Sequence, residues 1–244
     1  MRQIRTSNCK IKNVYESQSD SDIKTLNVRI ASLLTDSYVE AARLAIAVEP
    51  NHLYIVTSGL HGDEANDNGD FFLWSELLKR KKNGMRMYET WVDCPVLENH
   101  NMESKRGGII DTWPLRTEKS VDMLLRIDER INPNMVKGIR NGSISGTSMG
   151  VMVGHSYCGL CKHLAYDETE WCAHLSPRKL NIKGKRYTGQ DGGLFPDKIG
   201  MMCYEDNRDL VGVEDSIISL GDPADPKALI REVLAHKKRL KLAN

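Results

Sequence analysis

The sequence predicts an α+β fold, with strands forming the body of the molecule and a few helices interrupting them. Three observations lead there. Several short apolar or alternating stretches lie between clusters of Gly, Pro, Asn and Asp, the pattern of strands and turns. One helix is marked by its ends: Asn132 and Pro133 open it, and Asn141-Gly142 closes it. Residues 155–198 are rich in Gly, Lys, Cys and His and poor in large apolar side chains, which suits a small insert shaped by something other than a core.

In chain order, residues 1–50 read as an N-terminal arm or variable segment and residues 51–244 as one domain containing the 155–198 insert. Residues 14–27 are polar and read as a loop. Residues 38–48 could form a helix or a strand. Residues 52–57 make a strand and residues 66–70 a turn, because Asn and Gly tolerate positive φ. A helix is expected over 71–82 and a strand over 88–97, running into Glu98-Asn99-His100-Asn101. Residues 108–113 and 121–128 read as a hairpin, and 132–140 as the capped helix. Strand character returns at 143–153, 201–204 and 211–220. Asp222-Pro223-Ala224-Asp225-Pro226 breaks the sheet. A closing helix over 227–242 carries Ala228, Leu229, Val233, Leu234 and Leu240 on one stripe.

The chain has 244 residues and a formal net charge of +1. That length suits one domain with a sizeable core. The charge gives no bulk argument for nucleic acid or a membrane as partner. The short basic runs at residues 79–82 and 237–239 read as solvated helix faces. No stretch reaches the ~18 apolar residues of a membrane helix. Residues 1–5 lack the apolar core of a signal peptide. A cytosolic chain is therefore expected, with its six cysteines as thiols or metal ligands rather than disulfides. Cys9, Cys94 and Cys203 are scattered and read as buried small apolar groups.

Three residues could carry chemistry. Ser148 lies in Gly142-Ser143-Ile144-Ser145-Gly146-Thr147-Ser148-Met149-Gly150. A nucleophilic serine needs an exposed Oγ, nearby backbone N–H donors and little bulk around it, and this segment supplies small neighbours. A Gly/Ser-rich bulged strand would look the same. His100 ends a strand, where a general base would be held rigidly yet reach solvent. A surface histidine would sit there too. Glu214 is a carboxylate in an otherwise apolar strand, and a buried acid needs a partner such as an imidazole to orient. An edge-strand glutamate facing water is the plainer reading, and adjacent Asp215 makes at least one of the two face outward.

These segments occur in an order that resembles the prohead proteases of tailed bacteriophages, distant relatives of the herpesvirus maturation protease. The resemblance spans residues 66–228, roughly two-thirds of the chain. Besides Asn66-Asp67-Asn68-Gly69-Asp70 and Glu76-Leu77, it rests on Pro95-Val96-Leu97-Glu98-Asn99-His100-Asn101 and Gly107-Gly108-Ile109-Ile110-Asp111. Lys137-Gly138-Ile139-Arg140-Asn141-Gly142 and Gly146-Thr147-Ser148-Met149-Gly150 follow. Val213-Glu214-Asp215-Ser216-Ile217 and Pro223-Ala224-Asp225-Pro226-Lys227-Ala228 complete it. It implies a herpesvirus-protease-like β-barrel core with peripheral helices, and a serine endopeptidase with Ser148 as nucleophile and His100 as base. The third catalytic residue maps onto Glu214, with Asp215 next to it. Herpesvirus relatives use a second histidine instead, for which His174 is the candidate. The implied substrates are phage scaffold and capsid precursors and the protease's own ends, cleaved inside the assembling prohead in the host cytoplasm. Homo-oligomers stay open. The first 60 residues and the longer segment between the serine and glutamate strands depart from the family pattern. A non-enzymatic head component on the same fold is the alternative.

The remaining motif is Cys158-x2-Cys161-x10-Cys172-x-His174. Four such ligands in a core-poor stretch fit a tetrahedral structural Zn2+, which would supply folding energy. His163 or His155 could replace His174, and reduced loop thiols would also explain the cysteines. If His174 were instead the second histidine of a Ser-His-His triad, the zinc set would be broken.

Overall fold

The structure, a computed structural model, describes residues 51–233. The readings made for residues 1–50, and for the closing helix beyond residue 233, lie outside the described residues. What is described is mostly β, so sheet outweighs helix more than an α+β reading implies. A seven-stranded sheet has β1 (His52–His61), β3 (Pro95–Glu98), β4 (Gly107–Leu115), β5 (Ser120–Asp128), β6 (Gly146–Met152), β10 (Val211–Ile218) and β11 (Ile230–Val233), in the order β11-β1-β5-β4-β3-β10-β6. A four-stranded sheet has β2 (Asp70–Phe72), β7 (His155–Cys158), β8 (Leu164–Ala165) and β9 (Glu205–Arg208), in the order β2-β9-β7-β8. Helices α1 (Trp74–Leu77) and α2 (Pro133–Asn141) complete the described elements with three short 3-10 turns.

The large sheet curls into a half-barrel. Thr57 on β1 and Asp215 on β10 are separated by three strands in the sheet, yet Thr57 Oγ1 donates to Asp215 Oδ2 at 3.4 Å. The segment before β11 crosses between β1 and β6. Ser58 N–H of β1 donates to Leu229 O, and Thr147 N–H of β6 to Ala228 O, each at 2.9 Å. Leu53, Ile55, Val96, Ile109, Met123, Leu125, Ile127 and Ile217 line the concave side and pack with Met135, Val136 and Ile139 of α2. β1 is buried along almost its whole length, which suits its near-continuous apolar run.

The capped helix has the expected local chemistry. Asn132 accepts from Met135 N–H, Pro133 sits in the first turn, and Gly142 takes the left-handed conformation (φ 78°) that ends it. The hairpin of β4 and β5 is also present.

Four expectations need correction. Residues 71–82 do not form one helix: Phe71 and Phe72 belong to β2, where pairing with β9 buries Phe72 and stacks Phe71 on Tyr204. Only Trp74–Leu77 is helical, and residues 80–86 turn back on themselves through Gly84 at φ 83°. Residues 88–97 are not one strand: Met87–Trp91 is a 3-10 turn that buries Met87, Tyr88 and Trp91, and Asp93 at φ 69° separates it from β3. Residues 201–204 form only a bridge between Met202 and Arg186, and the strand there is the polar Glu205–Arg208. Its charges are satisfied by ion pairs, Lys183 to Glu205 (2.5 Å) and Arg208 to Asp206 (2.6 Å). Residues 230–233 are strand rather than helix, because the edge of β1 takes them as a partner.

Asp215 is fully buried on the concave side, and burial pushes its carboxyl well above the usual range. Its Oδ1 and the nearby Thr147 Oγ1 have no hydrogen-bond partner among the described residues. A neutral acid tolerates this site far better than a charged one. The folded state then holds a proton that the unfolded chain releases near pH 4, so stability falls as pH rises above that value. The slope for one such proton is about 1.4 kcal/mol per pH unit. Asp215→Asn mimics the neutral acid, so denaturant unfolding should show the variant gaining on wild type between pH 5 and pH 8. A constant difference would place a charged carboxylate at Asp215.

Candidate functional site

The site begins with the sheet register. β3 and β10 are a parallel pair, with Val96 beside Asp215 and Glu98 beside Ile217. Both strands therefore deliver their C-terminal ends to the same edge. Asn99 (φ 51°) and His100 (φ 58°) then take left-handed conformations in succession, and Asn101 comes back to bridge Glu98. Such backbone costs roughly 1–2 kcal/mol per non-glycine residue and must be held from outside. Asn99 is the holder: its side chain donates to Ser219 Oγ at 2.8 Å and accepts from Ser219 N–H at 2.9 Å. Its backbone N–H donates to Ile217 O at 3.1 Å.

The turn folds His100 over β10. Its Nδ1 lies 2.8 Å from Glu214 Oε1. The carboxylate only accepts, so Nδ1 carries a proton, and in the neutral ring Nε2 keeps its lone pair. The His100 side chain is about half exposed (49%) and that of Glu214 is buried (5%). The hydrogen bond to Glu214 raises the His100 pKa, with partial burial opposing it and the Glu214 charge adding to it. Glu214 also accepts from Ser216 Oγ at 2.7 Å through Oε2.

Ser148 lies on β6 directly opposite Ser216, and Gly150 lies opposite Glu214. Opposed residues of an antiparallel pair point to the same face, with Cβ atoms about 4.5–5.5 Å apart. Ser148, Ser216, Glu214 and His100 thus share one face of the half-barrel. The Ser148 hydroxyl makes no hydrogen bond among the described residues, whereas catalytic bonds often tighten only with substrate bound. The small residues around Ser148 are explained by contacts: a Cβ on Gly150 would sit 2.5 Å from Glu214 Oε1, and one on Gly146 would meet Pro223 at 3.0 Å.

Glu214 does not face water, and neither does Asp215; the expectation of an outward carboxylate is wrong. The two point to opposite faces, and only Glu214 meets His100. His174 does not serve His100 either. Its Nε2 lies 2.9 Å from Asp191 Oδ2, and its Nδ1 lies 3.6 Å from Cys172 Sγ and 3.9 Å from Cys158 Sγ.

Those contacts belong to a second cluster. Ligand atoms of Cys158, Cys161, Cys172 and His174 all lie within 4.8 Å of one another, so the set could hold a metal ion. Thiolates at about 2.3 Å from a tetrahedral ion would lie about 3.8 Å apart, inside the 4.8 Å span of this set. Asp191 takes the outer His174 N–H and itself accepts from the Tyr187 hydroxyl, the arrangement that orients a metal-bound imidazole. With no cation, the Cys172 thiol is pushed up to about 12 by Cys158 first and by burial next. A cation would reverse that. Neither His163 nor His155 is in this set. Around it Leu160, Leu175, Ile182, Tyr187 and Cys203 form a small core, more than the sequence suggested.

One arrangement escaped the sequence reading. Ser58 Oγ lies 3.1 Å from His61 Nε2, and His61 Nδ1 lies 2.7 Å from Asp225 Oδ2. The chain of groups has the order of a hydrolytic triad, but residues 58, 61 and 225 share no motif that would announce it. Ser58 is 1% exposed and also accepts from the Arg231 guanidinium at 3.0 Å, so its oxygen is closed to a substrate carbonyl. These bonds fasten the Asp225–Arg231 stretch across the open side of the half-barrel. Nearby, a cleft of about 710 Å³ opens between the two sheets, with His61, Ser148, Met149, Lys183 and Asp225 among its walls.

No protein-family model matches the chain, and no curated protein or solved structure matches it either.

The His100–Glu214 contact makes a prediction that needs no activity. In an NMR titration, Glu214→Gln should move the His100 midpoint down towards the ordinary imidazole value, because the charge and acceptor that raise it are gone. An unchanged midpoint would mean the contact does not form in solution.

Proposed function

We propose that the chain is a serine endopeptidase of the prohead-protease kind, built on a herpesvirus-protease-like barrel. The observation that supports it most is the joint position of Ser148, Glu214 and His100 on one face of β6 and β10, with His100 Nδ1 on Glu214. In this reading His100 Nε2 takes the Ser148 hydroxyl proton as Oγ attacks the scissile carbonyl. Glu214 stabilises the imidazolium that forms. The imidazolium then protonates the leaving amine, and a water activated by the same ring releases the acyl group. The substrates are scaffold and capsid precursors in the assembling prohead, in the host cytoplasm.

Zinc is the proposed ion at Cys158, Cys161, Cys172 and His174. Three soft thiolates and one imidazole suit it, and four protein ligands leave no position for a reactive water, so its role is structural.

Ser148→Ala and His100→Ala should each stop precursor cleavage, on the order of 10⁴-fold or more, with folding retained. Normal processing by either purified variant would remove Ser148 and His100 as the catalytic pair, whereas no processing by purified wild type would favour a non-enzymatic, metal-stabilised head component. Metal analysis of protein purified without chelator should find about one zinc per chain. Chelation should raise proteolytic sensitivity in residues 155–198 before the half-barrel yields. Metal-free protein with all three thiols freely reactive would remove the zinc assignment.

A further inference from the structure

The described residues hold one buried hydroxyl at the site to which the proposed mechanism gives no task. Ser216 is fully buried on β10. Its Oγ accepts from the His100 backbone N–H at 3.0 Å and donates to Glu214 Oε2 at 2.7 Å. The direction is forced, because a backbone N–H can only donate and the hydroxyl has one proton to give.

Glu214 is thereby joined to His100 twice. Oε1 meets the ring, and Oε2 reaches the main chain of the same residue through Ser216. Each link answers a separate cost. The His100 N–H sits in a left-handed turn (φ 58°) that makes no regular sheet pairing of its own, and the hydroxyl satisfies it. Oε2 belongs to a carboxylate removed from water, and an unpaired buried oxygen would favour rotation or protonation of the acid. Either change would free the imidazole to turn on its Cα–Cβ and Cβ–Cγ bonds. The neighbouring Asn99 bracket fixes only the preceding residue.

We propose that Ser216 is a positioning residue: its hydroxyl locks the His100 backbone and the Glu214 carboxylate into one unit, so that Nδ1 stays protonated and Nε2 is presented to Ser148. It rests on the protease reading for its catalytic consequence, while the lock itself is a statement about hydrogen bonds. Ser216 touches neither substrate nor the reacting atoms. Its loss acts through the geometry of His100, where a misplacement of about 1 Å can cost on the order of 100-fold in rate.

The test uses the full chain, a fluorophosphonate probe and NMR of His100. Ser216→Ala removes the hydroxyl. Ser216→Thr and Ser216→Val add the same bulk at a fully buried position, one with the hydroxyl and one without, so the pair carries the comparison if the alanine variant folds poorly. Ser216→Ala and Ser216→Val should lower the maximal inactivation rate about 10- to 100-fold at unchanged probe affinity. Ser216→Thr should keep most of the rate. The slowly exchanging His100 Hδ1 resonance should be visible in wild type and Ser216→Thr, and broadened beyond detection in the other two. Equal rates in the Thr and Val variants, or an intact Hδ1 signal in Ser216→Val, would overturn the proposal. Wild type that fails to react with the probe would overturn the protease reading instead, and the Hδ1 comparison would still decide the lock.

Discussion

The candidate site depends on one buried carboxylate. Glu214 is removed from water on a strand flanked on both sides, and a charge in that position must be met by donors or be lost. Its donors come from two places, the His100 ring and the Ser216 hydroxyl. Much of the architecture serves that meeting. The parallel pairing of β3 with β10 brings the end of β3 alongside, the left-handed Asn99-His100 turn folds the ring back, and Gly150 leaves the space the carboxylate occupies.

The neighbouring carboxylate shows how far a single step along a strand changes the chemistry. Asp215 points into the half-barrel, where Thr57 donates to it and burial favours the neutral acid. Glu214 points to the opposite face, where an imidazole and a hydroxyl await it. Two adjacent acids of similar intrinsic strength thus meet different surroundings because of the two-residue period of β10. The same period puts Met149 and Val151 against the core while Ser148 and Gly150 share the face of Glu214.

What could be read from the sequence was what short-range chemistry decides. The Asn132 cap with Gly142, the hairpin of β4 and β5, and the serine and glutamate strands all have local signals. The cysteine set was visible from spacing alone, and its ligand atoms converge. Elements decided by distant partners were not legible. Phe71 and Phe72 look helical until β9 claims them, and β9 itself is four polar residues whose charges are answered from Lys183 and within the strand. Residues 230–233 lie within the 227–242 stretch whose apolar stripe reads as a helix, yet the open edge of β1 makes them a strand. The Ser58–His61–Asp225 chain was invisible because it joins residues more than 160 positions apart.

That chain also gives the central claim a rival inside the same molecule, since Ser58 and Ser148 each lie near a histidine–carboxylate pair. Exposure separates them: Ser58 is sealed beneath Arg231, while Ser148 stands on the face of a half-exposed imidazole. The most direct measurement is to treat the protein with a fluorophosphonate and locate the adduct by peptide mass mapping. The adduct should sit on Ser148 alone and vanish in His100→Ala. An adduct on Ser58, or none on Ser148 in folded protein, would contradict the assignment of Ser148 as the nucleophile.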